Sequence, residues 1–309
     1  MTSNKKTKRI GWFLVFLFFA ILYYLNPDLF KEISRVKDIR FINFLMLSVL
    51  CVSNQFLLGL EIKILCQPFD IHLGVIESFG LSSIRSIANH LPMGAGVISN
   101  ALYLKNQKKL SIANFTSSLT VSIVLMFLIA GFLGFITSVY LTMSTGSTGL
   151  NLVILFFSVF LTSLLLITIR LPILKSKNFI AEFIRNFQQG YTLLKKNRTA
   201  IQKLIALKSL LLLLLIIKMK LLFVSVGYDL NLGSIILIVA GVVTFRIATI
   251  LPGNIGLTES ISGFIAIASG STFENGFVGM AVDRIIQTIW IFLLGIFFLF
   301  YFKNKILDS

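Results

Sequence analysis

Long apolar stretches constrain the fold of this 309-residue chain more than any other feature of its sequence. The hydrocarbon core of a bilayer is about 30 Å thick, and a helix of about 20 apolar residues crosses it. Inside that core only helices and closed barrels bond all of their backbone polar groups. The stretches predict an all-α polytopic membrane protein with about eight membrane spans. We place these spans at residues 10–26, 42–66, 73–91, 113–142, 149–170, 204–224, 233–251 and 276–302.

The formal net charge of +16 is distributed in a way that favours a membrane rather than nucleic acid as the partner. Basic residues cluster in residues 5–9, 105–109 and 170–203, at an end of the chain or between apolar spans. Such positions are typical of cytoplasmic loops, where Lys and Arg also attract anionic lipid. The distribution predicts a multi-pass protein of a bacterial-type inner (cytoplasmic) membrane with both termini in the cytoplasm. The charge distribution does not decide between a monomer and a homo-oligomer.

Two copies of one decapeptide indicate an internal duplication. Residues 87–96 read IANHLPMGAG and residues 247–256 read IATILPGNIG. Related hexapeptides, FDIHLG and YDLNLG, precede the two copies at nearly equal spacing. We therefore predict a single integral membrane domain over 1–309 that contains two repeats. The first covers about 42–142, a cytoplasmic amphipathic linker covers 171–203, and the second repeat covers about 204–302.

Each copy combines Pro with Gly, which break a helix and allow unusual backbone conformations. Residues 93–104 separate the first Leu-Pro from the next basic cluster and are too few for a crossing helix. We therefore expect each repeat to contain a Pro/Gly-broken re-entrant element. Counting crossings between the copies places them in opposite orientations. Inverted-topology repeats with interrupted helices at matching positions are typical of secondary transporters whose site lies near the midplane.

The broken elements and nearby charges supply the candidate binding residues. Helix ends attract ions, Arg binds a phosphate through two N–H groups at once, and a charge at membrane depth is a functional hypothesis by default. The predicted substrate-binding residues are Arg85, Pro92, Gly94, Gly96, Asn100, Arg246, Pro252, Gly253, Asn254, Gly256, Glu259 and Arg284. Glu259, Asp283 and Glu77 are candidates for ion coupling or charge balance. Only the second copy carries an acid, so we expect the second copy to hold the chemistry more tightly.

Each candidate also has a structural explanation. Pro and Gly kink packed helices in many membrane proteins, and Arg85 and Arg246 lie near enough to a helix end to extend to the interface. The same explanation applies to Lys218 and Lys220, late in the span over 204–224. No catalytic motif and no metal-spaced Cys/His cluster is present in the sequence. We expect no enzyme activity, cofactor or metal.

The segment LPGNIGLTE (251–259) resembles the Pro-Gly-Gly-x-Gly-x-x-Glu motif of the flippase-like membrane region of lysylphosphatidylglycerol synthases. Pro252, Gly253, Gly256 and Glu259 match this motif, whereas Asn254 replaces its second Gly. The first segment, LPMGAG, is similar to a weaker N-terminal counterpart. Through both motifs and the span layout, the resemblance covers roughly 10–302. It implies a stand-alone member of the family, without the soluble synthase domain.

The predicted function is that of a lipid transporter or flippase. It would move an anionic or aminoacylated phospholipid, or a polyprenyl-phosphate-linked headgroup, between leaflets through a polar cavity at the repeat interface. One alternative is an integral-membrane transferase that uses a lipid-linked donor, for which Asp28, Glu32 and Asp38 supply acidic side chains. The other is a non-transporting partner of an envelope-biogenesis enzyme.

Overall fold

Helices account for the regular secondary structure in the described part of the chain. The computed structural model describes residue 37 and residues 39–90, 94–145, 149–168, 179–245 and 254–307. Its α-helices are α1 (Phe41–Cys66), α2 (Val75–Ala88), α3 (Ala95–Lys108), α4 (Ile112–Thr145), α5 (Leu150–Thr168), α6 (Phe179–Lys196), α7 (Arg198–Ser225), α8 (Leu232–Phe245), α9 (Leu257–Ala268) and α10 (Phe273–Leu307). These helices confirm the all-α prediction for the described residues.

Five helices, α1, α4, α5, α7 and α10, are long and apolar enough to cross a membrane. The chain is therefore a multi-pass membrane protein. The spans predicted at 73–91 and 233–251 correspond to α2 and α8, whose described lengths are 14 residues each. Such a helix is about 21 Å long, which is less than the hydrocarbon thickness. The span predicted at 73–91 is therefore longer than α2, which ends at Ala88, whereas residues 246–251 of the other predicted span lie outside the described residues. The span predicted at 10–26 lies outside the described residues.

The short helices α2 and α3 form an antiparallel pair on either side of residues 89–94. At the end near the break, a Cβ atom added to Gly96 would lie 2.2 Å from the carbonyl oxygen of Arg85. At the other end, the Tyr103 hydroxyl donates to Glu77 Oε1 over 2.9 Å, and Lys108 Nζ lies 3.1 Å from the same oxygen. Because early residues of α2 meet late residues of α3, the chain reverses its direction at the break.

The helices α8 and α9 form a second antiparallel pair around residues 246–256. A Cβ atom added to Gly241 would lie 2.1 Å from Ile265 Cδ1, and the Ser234 hydroxyl donates to the Ser269 carbonyl over 3.2 Å. Each decapeptide therefore lies where the chain passes from one helix of a hairpin to the other, and we call this connection the break. We call α2–α3 the first hairpin and α8–α9 the second hairpin.

Both hairpins pack against α10. Next to the break of the first hairpin, the His90 ring contacts the Phe292 ring at a centroid distance of 5.5 Å. Beside the break of the second hairpin, Arg284 Nη2 donates to the Asn254 carbonyl over 3.0 Å. The two contact points on α10 are eight residues apart, which corresponds to about 12 Å along a helix. The described contacts of the two breaks with α10 are therefore less than half of the hydrocarbon thickness apart.

Close backbone contact between α9 and α10 gives a first testable expectation. A Cβ atom added to Gly276 would lie 2.4 Å from the Ser262 carbonyl oxygen, and backbone cannot move aside as a flexible side chain does. We expect Gly276→Ala to lower the free energy of unfolding by about 1–3 kcal/mol through overpacking. Thermal unfolding in detergent measures this effect. Gly149→Ala is the matched control, because no atom lies within 4 Å of its added Cβ; equal melting temperatures for both variants would contradict the expectation.

Candidate functional site

The second hairpin has a capped helix at its break. Gly256 takes a positive φ of 84° just before α9, a conformation in which Gly avoids the strain of other residues. Its N–H donates to Glu259 Oε2 over 2.9 Å, and the Thr258 hydroxyl donates to the same oxygen over 3.0 Å. This is half of a capping box, since the Gly at the N-cap has no side chain to return the bond. The carboxylate also faces the positive end of the α9 dipole.

Arg284 joins the second break to α10. Its Nε lies 2.6 Å from Glu259 Oε1, and its Nη2 donates to the Asn254 carbonyl over 3.0 Å and to the Thr258 hydroxyl. The Glu259 side chain is 3% exposed and the Arg284 side chain 23%. Both carboxylate oxygens are bonded, and the cation and the acid neutralise each other. The pair therefore holds residues 254–259, the start of the second helix of this hairpin, against α10.

Among the described residues, the first hairpin has no such pair at its break. Arg85 is 9% exposed, and the described residues place no hydrogen-bond acceptor or carboxylate within bonding distance of its guanidinium. Asn100 is fully buried, and neither of its side-chain amide atoms has a hydrogen-bond partner in the described part. Gly94, with φ +66°, precedes α3, whose first turn contains no acid. Buried polar groups normally have partners, so these groups are available to a ligand.

A buried ion pair connects α1, α4 and α7 close to Arg85. Lys208 Nζ lies 2.9 Å from Glu61 Oε1, and the Ser122 hydroxyl donates to that oxygen over 2.7 Å. Arg85 lies within electrostatic range of the same carboxylate. Arg85 and Lys208 are thus two cations near one carboxylate, and the three side chains together carry one net positive charge.

A second buried ion pair connects α7 to α10. Lys218 Nζ lies 2.8 Å from Asp283 Oδ1 and 2.9 Å from Oδ2, with side chains 1% and 3% exposed. Lys218 therefore does not extend to the membrane surface, and the structural explanation suggested by its position in the sequence does not apply to it. Asp283 and Arg284 are adjacent but have different partners, because neighbouring side chains diverge by about 100° around a helix.

A small polar cavity lies between α1 and α10, within the stretch of α10 that separates the two breaks. Its polar lining includes Gln55, Gln287 and Trp290, and its water-accessible volume is about 10 Å³. Gln55 Nε2 donates to the Ser86 hydroxyl of α2 over 2.9 Å. The buried Trp290 Nε1–H has no acceptor among the described residues. Trp290, which lines the cavity, therefore carries an unused hydrogen-bond donor close to the first hairpin.

The predicted binding residues fall into several groups in the structure. Asn254, Gly256, Glu259 and Arg284 are in contact at the second break, whereas Arg85, Gly94, Gly96 and Asn100 belong to the first hairpin. Glu77 lies at the far end of the first hairpin, and Asp283 faces α7. Pro92, Arg246, Pro252 and Gly253 lie outside the described residues.

Sequence reasoning missed Lys208, Gln55, Gln287 and Trp290. Lys208 carried a usable signal, since a charge within an apolar span is costly and usually has a function or a partner. Glutamine and tryptophan carry no comparable signal, because both occur at many surface and packing positions. Only the packing of α1, α2 and α10 brings these three side chains close to the breaks.

Comparison with known proteins gives the family. The family model described as the lysylphosphatidylglycerol synthase TM region matches residues 9–295. No curated protein and no solved structure matches the chain. The family match includes both hairpins and α10 as far as residue 295, and it confirms the resemblance found in residues 251–259. The chain belongs to the family of the lysylphosphatidylglycerol synthase transmembrane region.

Proposed function

We propose that this protein is a flippase or scramblase-like transporter that moves lipid headgroups between leaflets through a polar cavity at the interface of its two repeats. The family supports a role connected with membrane lipids. The observation that carries the transport proposal is Arg85, a buried cation beside a helix break that has no bonded partner among the described residues. A charge at membrane depth is expensive and is retained where it serves a function.

The pairing of helices supports two inverted repeats within this proposal. In this correspondence α1 to α4 are equivalent to α7 to α10, in the same order. The contact between α1 and α2 then matches the contact between α7 and α8. The contact between α2 and α10 matches the contact between α8 and α4. The equivalent helices α1 and α7 run in opposite directions, since Glu61 pairs with Lys208 while Cys51 lies near Lys218. Opposite directions of equivalent helices are expected when one repeat is inverted relative to the other.

In the proposed mechanism, the phosphate of a lipid binds at the first break. The guanidinium of Arg85 supplies two N–H groups in a fork that matches two phosphate oxygens. The first turn of α3 adds backbone N–H groups and the positive end of a helix dipole. The acyl or prenyl tails stay in the bilayer, so only the headgroup enters the polar cavity. Glu259 and Arg284 hold the start of α9 against α10 and balance each other's charge.

A liposome assay tests the proposal. Purified protein is reconstituted into vesicles that contain phosphatidylglycerol with a fluorescent tail, and a membrane-impermeant quencher reports the fraction of label in the outer leaflet. We expect leaflet exchange to be faster than in protein-free vesicles and to increase with the protein-to-lipid ratio. If no lipid class exchanges faster than in protein-free vesicles, the protein is not a transporter of this kind.

A further inference from the structure

We infer that the transported lipid is a phosphodiester monoanion with an uncharged, hydroxyl-bearing headgroup, and that aminoacylated headgroups are disfavoured. This inference rests on the proposed transport function and narrows the substrate class of the same site. It follows from the charges around the two breaks and from the lining of the cavity between them.

Four carboxylates of the hairpins and their supporting helices are already paired with cations in the described part. Their cation partners are Lys208 for Glu61 (2.9 Å), Lys108 for Glu77 (3.1 Å), Arg284 for Glu259 (2.6 Å) and Lys218 for Asp283 (2.8 Å). An incoming ammonium would have to displace one of these cations and leave it buried without a counterion, which is strongly unfavourable.

Three further carboxylates whose side chains the structure describes lie away from the two breaks. Asp70 and Asp229 are exposed, and Asp229 is 3.2 Å from Lys220. Glu274 is in the first turn of α10, ten residues before Arg284. None of these three groups is placed to receive an ammonium that enters near Arg85.

The surplus charge near the first break has the opposite sign. Arg85 and Lys208 share the single carboxylate of Glu61, which leaves one positive charge in a buried environment. A phosphodiester carries one negative charge and neutralises that surplus. Lysylphosphatidylglycerol carries two ammonium groups and one phosphate, so its headgroup has a net positive charge. It would therefore be repelled by the net positive charge around Arg85.

The cavity between α1 and α10 is lined by uncharged side chains, of which three carry hydrogen-bonding groups and three are apolar. Gln55 and Gln287 can each donate and accept hydrogen bonds, and Trp290 Nε1–H is a buried donor that lacks an acceptor in the described part. Hydroxyl groups match such a lining because they also donate and accept. A single indole ring does not form the aromatic cage that typically binds an ammonium. The volume of about 10 Å³ is that of one water molecule, so a headgroup enters only as the helices separate.

Exchange rates for matched lipids test this inference. The labelled lipids share acyl chains and differ in headgroup: phosphatidylglycerol, phosphatidylethanolamine and lysylphosphatidylglycerol, with a short-chain polyprenyl-phosphate-linked sugar as a fourth arm. We expect phosphatidylglycerol or the polyprenyl-linked sugar to exchange several-fold faster than lysylphosphatidylglycerol, and the faster of the two identifies the source of the phosphodiester. Lysylphosphatidylglycerol exchanging as fast as both of them would overturn the inference while leaving the transport function intact. Absence of exchange for every lipid would instead contradict the transport function.

Trp290→Phe tests the cavity separately, because it keeps an aromatic ring and removes only the N–H donor and part of the volume. We expect a several-fold slower exchange of the hydroxyl-bearing lipid, little change for phosphatidylethanolamine, and a melting temperature close to that of the unmodified protein. If Trp290→Phe slows the exchange of all lipids equally, or of none of them, Trp290 does not take part in headgroup recognition.

Discussion

Replacing Arg85 with Gln is expected to reduce exchange of phosphatidylglycerol almost to the rate of protein-free liposomes. A bidentate, charge-assisted contact to phosphate contributes about 3 kcal/mol, which corresponds to about a hundredfold in rate. Arg85→Lys keeps the charge but loses the planar fork, so an intermediate rate is expected. The assay is the same quenching of a fluorescent lipid in reconstituted vesicles.

The stability of the Arg85→Gln variant separates a functional role from a structural one. Arg85 is buried without a bonded counterion in the described part, so its removal should leave the melting temperature unchanged or raise it. Lys220→Gln is the control, since it removes a cation whose ion pair with Asp229 is exposed, and such pairs contribute little to stability. If Arg85→Gln retains the full exchange rate, or if Lys220→Gln loses as much, the first break is not the phosphate site.

Replacing Lys218 with Met is expected to cause the largest loss of stability among single substitutions at the ion pairs. Both carboxylate oxygens of Asp283 lie within 2.9 Å of Lys218 Nζ, and both side chains are almost fully buried. Without Lys218, the carboxylate is buried and unpaired, which costs about 3–5 kcal/mol. Thermal unfolding of the protein in detergent should show a clearly lower melting temperature.

The double variant Lys218→Met/Asp283→Leu should recover most of that loss. Apolar side chains of similar volume fill the same space without leaving a charge, and such replacements of buried ion pairs are often neutral or stabilising. A double-mutant cycle with Asp283→Leu alone completes the measurement. If the double variant is as unstable as the single Lys218→Met variant, packing around Lys218 rather than the unpaired carboxylate explains the loss.

The all-helical class of the fold was predictable from the sequence for the described residues. A run of apolar residues indicates directly that a helix lies in the membrane, and Pro with Gly changes the conformation of the local backbone. Neither signal depends on residues far away in the sequence. The end of α2 at Ala88 was not predictable in the same way. A hydropathy window cannot separate the end of a helix from the end of an apolar run.

The partners of the buried charges were beyond sequence reasoning, because they depend on tertiary packing. Glu61 and Lys208 lie on helices far apart in the chain, and Asp283 and Arg284 take separate partners although they are adjacent. The presence of Glu259 suggested that the second copy holds the chemistry more tightly. Its carboxylate is bonded to Gly256 and Arg284, and our proposal therefore centres on Arg85 at the first break.

The spacing of the two breaks along α10 has a consequence for the energy of transport. A lipid headgroup that crosses a bare bilayer loses its hydration over about 30 Å of hydrocarbon. The contacts of the two breaks with α10 are eight residues apart, so a headgroup passing from one break to the other moves about 12 Å. Over that distance it meets Gln287 and Trp290, whose polar groups replace part of the lost water. In the proposed mechanism, polar groups beside α10 thus lower the barrier over the part of the crossing that lies between the two breaks.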